Sequence, residues 1–156
     1  MTENARILII DDDENIRRVL ETILTDEGYN VECAENATRG IEKSENAFFN
    51  IALVDVRLPD MEGIELLPKL RSTKPEMRKI IVTGYPTLQN AISAVNNGAN
   101  AYVMKPFDVE KILNTIKDQL QKQKEEKTNT EEGVVEFIET RIKELETKEK
   151  AHKKTY

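Results

Sequence analysis

The stretch Ile7-Leu8-Ile9-Ile10-Asp11-Asp12 decides the fold of this 156-residue chain. Four consecutive apolar residues are typical of a strand buried on both faces, and the acidic pair marks where that strand ends. Three further short apolar runs lead into polar residues, at Asp55, Thr83 and Lys105. Because the carboxyl ends of parallel strands share one edge of a sheet, the sequence predicts that these side chains line a single pocket.

The rest of residues 5–122 alternates between strand patterns and helix patterns. Each apolar run is followed by a stretch with apolar residues at helical spacing. Strands are predicted at Arg6–Ile10, Asn30–Ala34, Ile51–Val54, Ile80–Val82 and Ala101–Val103. This alternation predicts an α/β fold, with a five-stranded parallel sheet covered by helices on both faces. Pro68 lies inside the third helical stretch, where it costs about 3 kcal/mol in a regular helix, so we expect a bend or a late helix start there.

Composition limits the class of protein. Charged residues make up 33% of the chain and hydrophobic residues 38%, and no apolar run approaches the roughly 18 residues of a membrane span. The first residues lack the pattern of a secretory signal, so a soluble cytoplasmic protein is expected. Cys33 is the single cysteine, which excludes an internal disulfide, and it is predicted to be a small buried hydrophobe with an inert thiol.

Charge and glycine content argue against nucleic-acid and nucleotide binding. Residues 1–120 carry 14 basic and 20 acidic side chains, whereas residues 121–156 carry nine of each. Neither part supplies the basic face that a nucleic-acid module usually shows. All six glycines are isolated, so a glycine-rich phosphate loop is absent from the sequence.

The residue types at the strand ends suit phosphoryl transfer to Asp55. Such a transfer passes through a largely dissociative transition state, so it needs positioning and charge stabilisation. Asp55 supplies the attacking carboxylate oxygen, and Asp11 and Asp12 suit Mg²⁺, which prefers oxygen ligands. Lys105 and Thr83 can hold phosphate oxygens. Without the cation, we expect the crowded carboxylates to raise at least one pKa.

Each of these residues also has an ordinary structural explanation. Acidic residues at a helix start stabilise the helix, and Asp13 is expected to be only such a cap. An aspartate at a strand end is most often a turn former, and a lone threonine or lysine on a loop is most often solvated. These explanations fail together, because none of them requires Asp55, the acidic pair, Thr83 and Lys105-Pro106 to occur in this order.

The chain resembles the receiver domain of two-component response regulators over residues 5 to about 122. The resemblance rests on four segments. They are the Ile-Leu-Ile-Ile-Asp-Asp-Asp run of residues 7–13, Leu53–Gly63, Val82-Thr83-Gly84-Tyr85 and Ala99–Phe107. It implies a flavodoxin-like sheet of order 2-1-3-4-5. It also implies that the domain takes a phosphoryl group from a phosphohistidine, and then assists its hydrolysis, without being a conventional multiple-turnover enzyme.

The resemblance also implies roles for individual residues. Asp12 and Asp55 are expected as direct Mg²⁺ ligands, together with the backbone carbonyl of Arg57, and Asp11 is expected to act through a water. Thr83 and Tyr102 are expected to form a switch, in which Thr83 moves towards the phosphoryl group and the Tyr102 ring turns inward. Half-buried packing on the sheet is the alternative for Tyr102. Residues 86–120 would form the readout surface for a downstream protein. The Lys105-Pro106 peptide is cis in the family pattern, and the sequence alone leaves it open.

Residues 123–156 are predicted to be a charged linker and a helical tail beyond the receiver domain of residues 1–122. Thr128-Asn129-Thr130 is expected to break the helix, and Asn129 or Thr130 to cap a new one. Apolar residues then recur at spacings of three, four and three, at Val135, Ile138, Ile142 and Leu145. This narrow seam needs cover, which its own receiver, a second copy in a homodimer or a partner protein could supply.

Three functions compete on these observations. The leading one is a single-domain phosphoacceptor that takes its phosphoryl group from a sensor histidine kinase or phosphotransfer protein and signals through a phosphorylation-dependent protein contact. The second is a receiver fragment of a larger DNA-binding transcription regulator, although the neutral tail itself is too short for a DNA-binding module. The third, a metal phosphatase for small phosphates, is weaker because no substrate-recognition insertion interrupts the five units.

Overall fold

The computed structural model describes residues 4–73 and 75–154, and within its last helix it describes the side chains of residues 109–126 and 138–148. Five parallel strands form one sheet in the order β2-β1-β3-β4-β5. They are β1 (Arg6–Ile10), β2 (Asn30–Ala34), β3 (Ile51–Val54), β4 (Arg78–Thr83) and β5 (Ala101–Met104). The predicted flavodoxin-like fold is therefore confirmed.

Helices connect the strands and cover both faces of the sheet. They are α1 (Glu14–Asp26), α2 (Ala37–Asn46), α3 (Gly63–Leu66), α4 (Leu88–Asn96) and α5 (Val109–Lys154). Alternate residues of β1 enter two different cores: Leu8 and Ile10 pack on one face of the sheet, and Ile7 and Ile9 on the other. All four are at most 1% exposed, which explains why this strand is a continuous apolar run in the sequence.

Local signals set both ends of α1. The Asp13 carboxylate accepts hydrogen bonds from the backbone N–H groups of Asn15 and Ile16, so its predicted role as a cap is confirmed. At the other end, Gly28 has a φ of +92°, a conformation that glycine adopts without strain. The next N–H, of Tyr29, then donates back to the carbonyl of Leu24 at 3.1 Å and closes the helix.

Pro68 disrupts the third helix where predicted, but it causes an early end of the α-helix instead of the expected bend or late start. The α-helical part ends at Leu66, and Leu67–Lys69 continue as a single 3-10 turn. The ammonium of Lys79 donates to the carbonyl oxygen of Leu67 at 2.6 Å, so this carbonyl keeps a partner where the regular ladder stops.

The helix of the tail is continuous with the helix that follows β5. The chain separates into compact units of residues 1–123 and 124–156, yet α5 is assigned without a break from Val109 to Lys154. The expected break at Thr128-Asn129-Thr130 is therefore wrong, because each such residue costs only about 0.7 kcal/mol or less relative to alanine in a helix. No helix of the described chain is long and apolar enough to cross a membrane.

Cys33 is half-buried instead of fully buried, because β2 lies at the edge of the sheet. Its side chain still packs against the core that contains Ile7 and Ile9, and its Sγ donates weakly to Glu21 Oε2 at 3.8 Å. Burial raises the pKa of the Cys33 thiol to about 11, and the charge of Glu21 adds to the shift. The thiol is thus protonated at neutral pH and inert, as the sequence predicts.

Candidate functional site

The carboxyl edge of the sheet gathers side chains from four strand ends into one acidic pocket. Carboxylate oxygens of Asp11, Asp12 and Asp55 all lie within 4.8 Å of one another. The ammonium of Lys105 lies 2.7 Å from Asp11 Oδ2 and 3.5 Å from Asp55 Oδ2. Thr83, at the end of β4, is fully buried, and its carbonyl accepts a hydrogen bond from the Lys105 N–H at 2.7 Å.

The parallel ladder holds two of these positions because it continues one residue past the strands. The N–H of Asp11 donates to the carbonyl of Ala34 at 3.1 Å, and the N–H of Asp55 donates to the carbonyl of Ile10 at 3.0 Å. The sheet therefore fixes the backbone of both aspartates. Lys105 precedes a cis peptide bond to Pro106, the isomer that the family pattern favours.

Gly63 is a residue of the site whose role the sequence did not reveal. A Cβ at this position would lie 1.8 Å from the carbonyl oxygen of Asp55, so only glycine fits. The N–H of Gly63 donates to the carbonyl of Val56 at 2.6 Å and holds the start of α3 against the residue after Asp55. The only signal in the sequence is an isolated glycine after a turn, which is common in loops.

Asp60 is a second residue whose role the sequence did not reveal. Its carboxylate accepts hydrogen bonds from the N–H groups of Ala37 and Thr38 at 2.9 Å and from the Thr38 hydroxyl at 2.6 Å. These bonds lower the pKa of Asp60 to about 2. The loop that follows Asp55 is thereby attached to the start of α2, a contact between residues too distant in sequence for any local pattern to show.

The distribution of hydrogen-bond donors shows where a cation fits. Asp11 Oδ1 accepts from the Asp13 N–H at 2.9 Å, and Asp11 Oδ2 accepts from Lys105. Asp55 Oδ1, by contrast, is buried and has no hydrogen-bond partner in the described part of the chain. A buried carboxylate oxygen without a donor is costly unless a cation approaches it. The three carboxylates therefore fit a hard divalent cation with oxygen ligands, such as Mg²⁺.

The pKa values in the pocket shift as a crowded acidic site requires. Burial raises the pKa of Asp55 above its ordinary value, and the charge of Asp11 raises it further, while Lys105 partly opposes the shift. For Lys105, burial alone would lower the pKa of the ammonium. Its hydrogen bond to Asp11 and the charges of Asp11 and Asp55 outweigh burial and raise that pKa. The expectation of a raised carboxyl pKa is confirmed, with burial as the larger cause.

Arg57 and Tyr85 form a stacked pair on the loops that follow β3 and β4. The Arg57 guanidinium lies 3.8 Å from the centroid of the Tyr85 ring, a cation–π contact. The N–H of Tyr85 donates to the hydroxyl oxygen of Thr83 at 3.0 Å. Each of the two stacked residues lies two positions after a residue of the pocket, so the stack joins the loop of Asp55 to the loop of Thr83.

Tyr102 lies on β5, and its side chain packs partly against the core that contains Leu8 and Ile10. Its hydroxyl is buried and has no hydrogen-bond partner among the described residues, and burial raises the pKa of the phenol. The Tyr102 hydroxyl therefore lies in the protein interior. This position agrees with packing on the sheet, and the switch hypothesis assigns the same position to one of its two states.

Comparison with known proteins agrees with this geometry. The family model for the response regulator receiver domain matches residues 7–117. The uncharacterized transcriptional regulatory protein YkoG of Bacillus subtilis is 36% identical over 115 residues, which cover 74% of this chain and 50% of that protein, so the chain spans half of that relative's length.

Solved structures show the same fold. A receiver domain protein (CheY-like) from Methanospirillum hungatei is 49% identical with a TM-score of 0.76, covering 80% of this chain and 99% of that one. A response regulator from Burkholderia pseudomallei, solved with a phosphorylated aspartic acid, calcium ion and citrate, is 30% identical with a TM-score of 0.69, covering 79% and 72%. Together with the pocket at the carboxyl edge of its sheet, these matches show that the chain belongs to the receiver-domain family of two-component response regulators.

Proposed function

We propose that Asp55 accepts a phosphoryl group from the phosphohistidine of a sensor histidine kinase or a phosphotransfer protein. The observation that carries this proposal is the environment of the Asp55 carboxylate. Oδ1 is buried without a donor from the described residues, and Oδ2 lies 3.5 Å from the Lys105 ammonium. The carboxylate as a whole clusters with those of Asp11 and Asp12. Oδ1 thus lacks a described donor to compensate its negative charge, and Oδ2 lies beside a positively charged side chain. This arrangement suits a nucleophile that receives a phosphoryl group, because the phosphoryl oxygens need positive charge around them.

In the proposed transfer, a carboxylate oxygen of Asp55 attacks phosphorus. The P–O bond to Asp55 forms, the P–N bond to the donor histidine breaks, and the imidazole nitrogen keeps the electron pair and takes up a proton from solvent. The Lys105 ammonium contacts Asp11 and lies near Asp55, so it can also contact an oxygen of the phosphoryl group that arrives at Asp55. The Thr83 hydroxyl accepts from Tyr85, which leaves its own O–H to donate to another phosphate oxygen.

Asp12, Asp55 and the backbone carbonyl of Arg57 would hold Mg²⁺ directly, and Asp11 would hold it through a water. Both Asp11 oxygens already accept hydrogen bonds, from Asp13 and Lys105, which favours the indirect role. When bound, the cation neutralises negative charge on the phosphoryl oxygens. The Burkholderia response regulator, solved with both a phosphorylated aspartic acid and a calcium ion, supports a phosphoacceptor and a divalent cation in this fold.

Phosphorylation would then change a protein contact on residues 86–120. Thr83 would turn towards the phosphoryl group, and Tyr102 would respond beside it on β5. The outer face of α4 supplies an apolar surface for a downstream protein, because Leu88, Ile92 and Val95 are 79%, 53% and 69% exposed at spacings of four and three. Since the donor kinase acts in the cytoplasm, the proposal places this protein there as well.

The phosphoacceptor role can be tested with small phosphoryl donors. Incubation of the protein with acetyl phosphate or phosphoramidate and Mg²⁺ should add one phosphoryl group, which mass spectrometry should locate on Asp55. Asp55→Ala or a chelator should abolish the reaction, whereas Asp26→Ala, at the exposed end of α1, should not. Phosphorylation of Asp55→Ala at the wild-type rate, or a label on another residue, would remove Asp55 from this role.

A receiver module of a larger transcription regulator is the second candidate function. The supporting observation is that the matched relative YkoG is called a transcriptional regulatory protein and is twice as long as its matched part. Sequencing of the gene beyond the Tyr156 codon would decide between the two. A stop codon there would favour signalling by protein contact, and an open frame encoding a basic helical domain would favour transcription.

A further inference from the structure

The last helix has an exposed apolar seam in the part where its side chains are described. Ile138, Ile142 and Leu145 are 51%, 51% and 54% exposed. Their spacings of four and three are those of the d, a and d positions of a heptad repeat. Val135 would add one more a position in the sequence, but its side chain lies outside the described residues. Among the described side chains of the tail, then, three large apolar groups lie on one helix face without cover.

The charges beside this seam are sorted by sign. In the same heptad frame, Glu139 and Glu146 occupy e positions, and Arg141 and Lys148 occupy g positions. All four are exposed. In a parallel pair of helices, a g residue faces the e residue of the next heptad on the other helix, so Arg141 meets Glu146 of the partner subunit. Antiparallel helices would instead bring g to g and e to e, and like charges would meet.

We propose that the tail helix forms a parallel two-stranded coiled coil with a second copy of this chain. Within the seam, Ile142 at an a position with Leu145 at the following d position is the combination that favours two strands, whereas Ile138 at the preceding d position does not add to this preference. The charges favour the parallel orientation, and the two-fold symmetry of the dimer makes the contact between Arg141 and Glu146 of the partner subunit twice. The described seam, from Ile138 to Leu145, is little more than one heptad long, so the association is weak and depends on concentration.

Within one chain, Arg141 also contacts Glu144, at 3.5 Å between Nη1 and Oε2. Both side chains are more than half exposed, so this contact contributes little and is easily exchanged for one across the dimer. The guanidinium has further N–H groups to offer a second carboxylate. The proposal concerns the tail alone, and it holds or fails independently of phosphorylation at Asp55.

Sedimentation equilibrium of the whole 156-residue chain, unphosphorylated, tests this arrangement. A reversible monomer–dimer equilibrium is expected, and Ile142→Asp should abolish it. Arg141→Glu should weaken association about tenfold, because it converts two attractive contacts into repulsive ones. Adding Glu146→Arg to Arg141→Glu should restore it. Lys143→Glu, the same charge reversal at a b position, should leave association unchanged.

Each alternative result would overturn a defined part of the proposal. A chain that stays monomeric at all concentrations would reject the dimer. A dimer that survives Ile142→Asp would place the interface on another surface. A dimer that requires Ile142 but is not weakened by Arg141→Glu would reject the parallel orientation. All the substituted side chains are exposed, and circular dichroism of each variant should match that of the wild type, which shows that the fold is intact.

Discussion

Replacing Gly63 by alanine should damage both the stability and the site of this protein, because the added methyl group has no space. An ideal Cβ at Gly63 would lie 1.8 Å from the carbonyl oxygen of Asp55, 2.8 Å from its carbonyl carbon and 3.1 Å from the Cα of Val56. Carbon and oxygen atoms without a bond between them approach to about 3.5 Å, so the two backbone segments must separate by roughly 1.7 Å. The obstructing atoms all belong to the backbone, and no side-chain rotation can relieve the clash.

The expected cost follows from two terms. Overpacking in a close-packed region costs about 1–3 kcal/mol, and the displaced segment would also lose the 2.6 Å hydrogen bond from Gly63 to Val56, which is worth about 1 kcal/mol. We therefore expect Gly63→Ala to lower the free energy of unfolding by about 3 kcal/mol. For a domain of this size, that corresponds to a fall of about 6–12 °C in Tm.

Urea unfolding followed by circular dichroism measures this loss, and Gly84→Ala is its matched control. A Cβ at Gly84 would meet only Lys105 Cβ, at 3.9 Å, which is an ordinary contact. The control should therefore stay within about 0.5 kcal/mol of the wild type. Because the clash is with the backbone of Asp55 itself, Gly63→Ala should also slow phosphorylation by acetyl phosphate. A Gly63→Ala protein as stable as the control would refute the steric argument.

Three further predictions concern the pocket and its surroundings. The pKa of Asp55 is raised in the folded protein, so the folded protein binds this proton more tightly than the unfolded chain does. The stability that this proton contributes is present below the unfolded pKa of about 3.9, and it is lost as the pH rises through the pKa of the folded state. In chelator at pH 7, Asp55→Asn should therefore unfold at a higher urea concentration than the wild type. Mg²⁺ should stabilise the wild type more than the variant. A variant that is less stable than the wild type in chelator would contradict this prediction. Arg57 lies two residues after the proposed acceptor, where its side chain, stacked on Tyr85, can flank the path of the water that hydrolyses the phosphoryl group. Arg57→Asn should therefore speed dephosphorylation, and phosphoryl decay that is unchanged or slower would exclude Arg57 from that role. Tyr102→Phe should be neutral or stabilise the fold by up to about 1 kcal/mol, because it removes a buried hydroxyl without a partner among the described residues, and a clear loss in urea unfolding would reveal a hydrogen bond to that hydroxyl.

Helical periodicity identified α4 but could not orient it. The recurrence of Leu88, Ala91, Ile92 and Val95 predicts a helix, and α4 covers all four residues. The buried residue of this helix is nevertheless Ala94, while Leu88, Ile92 and Val95 face outward. An apolar stripe has the same pattern whether it packs against the sheet or binds a partner, so only the tertiary structure distinguishes the two.

Local patterns in the amino-acid sequence were enough to predict the order of the elements and the polar residues at the strand ends. Burial on both faces makes a parallel strand apolar throughout, so Ile51–Val54 and the residues after it could be recognised locally. The cap at Asp13 and the helix disruption at Pro68 are also local, because each depends on hydrogen bonds within one turn. The predicted helix break at residues 128–130 failed because local preferences of a few tenths of a kcal/mol do not decide whether a helix continues.

The residues that support the pocket, and the contacts by which they do so, depend on packing between distant segments. Lys105 and Asp11 are 94 positions apart, and their 2.7 Å contact depends on the order in which the strands pair. Position 63 requires glycine because its backbone closely approaches the backbone of Asp55. The environment of Asp55 Oδ1 depends on which hydrogen-bond donors the surrounding loops bring near it. These properties arise from packing between segments that are distant in sequence, and a linear pattern carries no information about such distances.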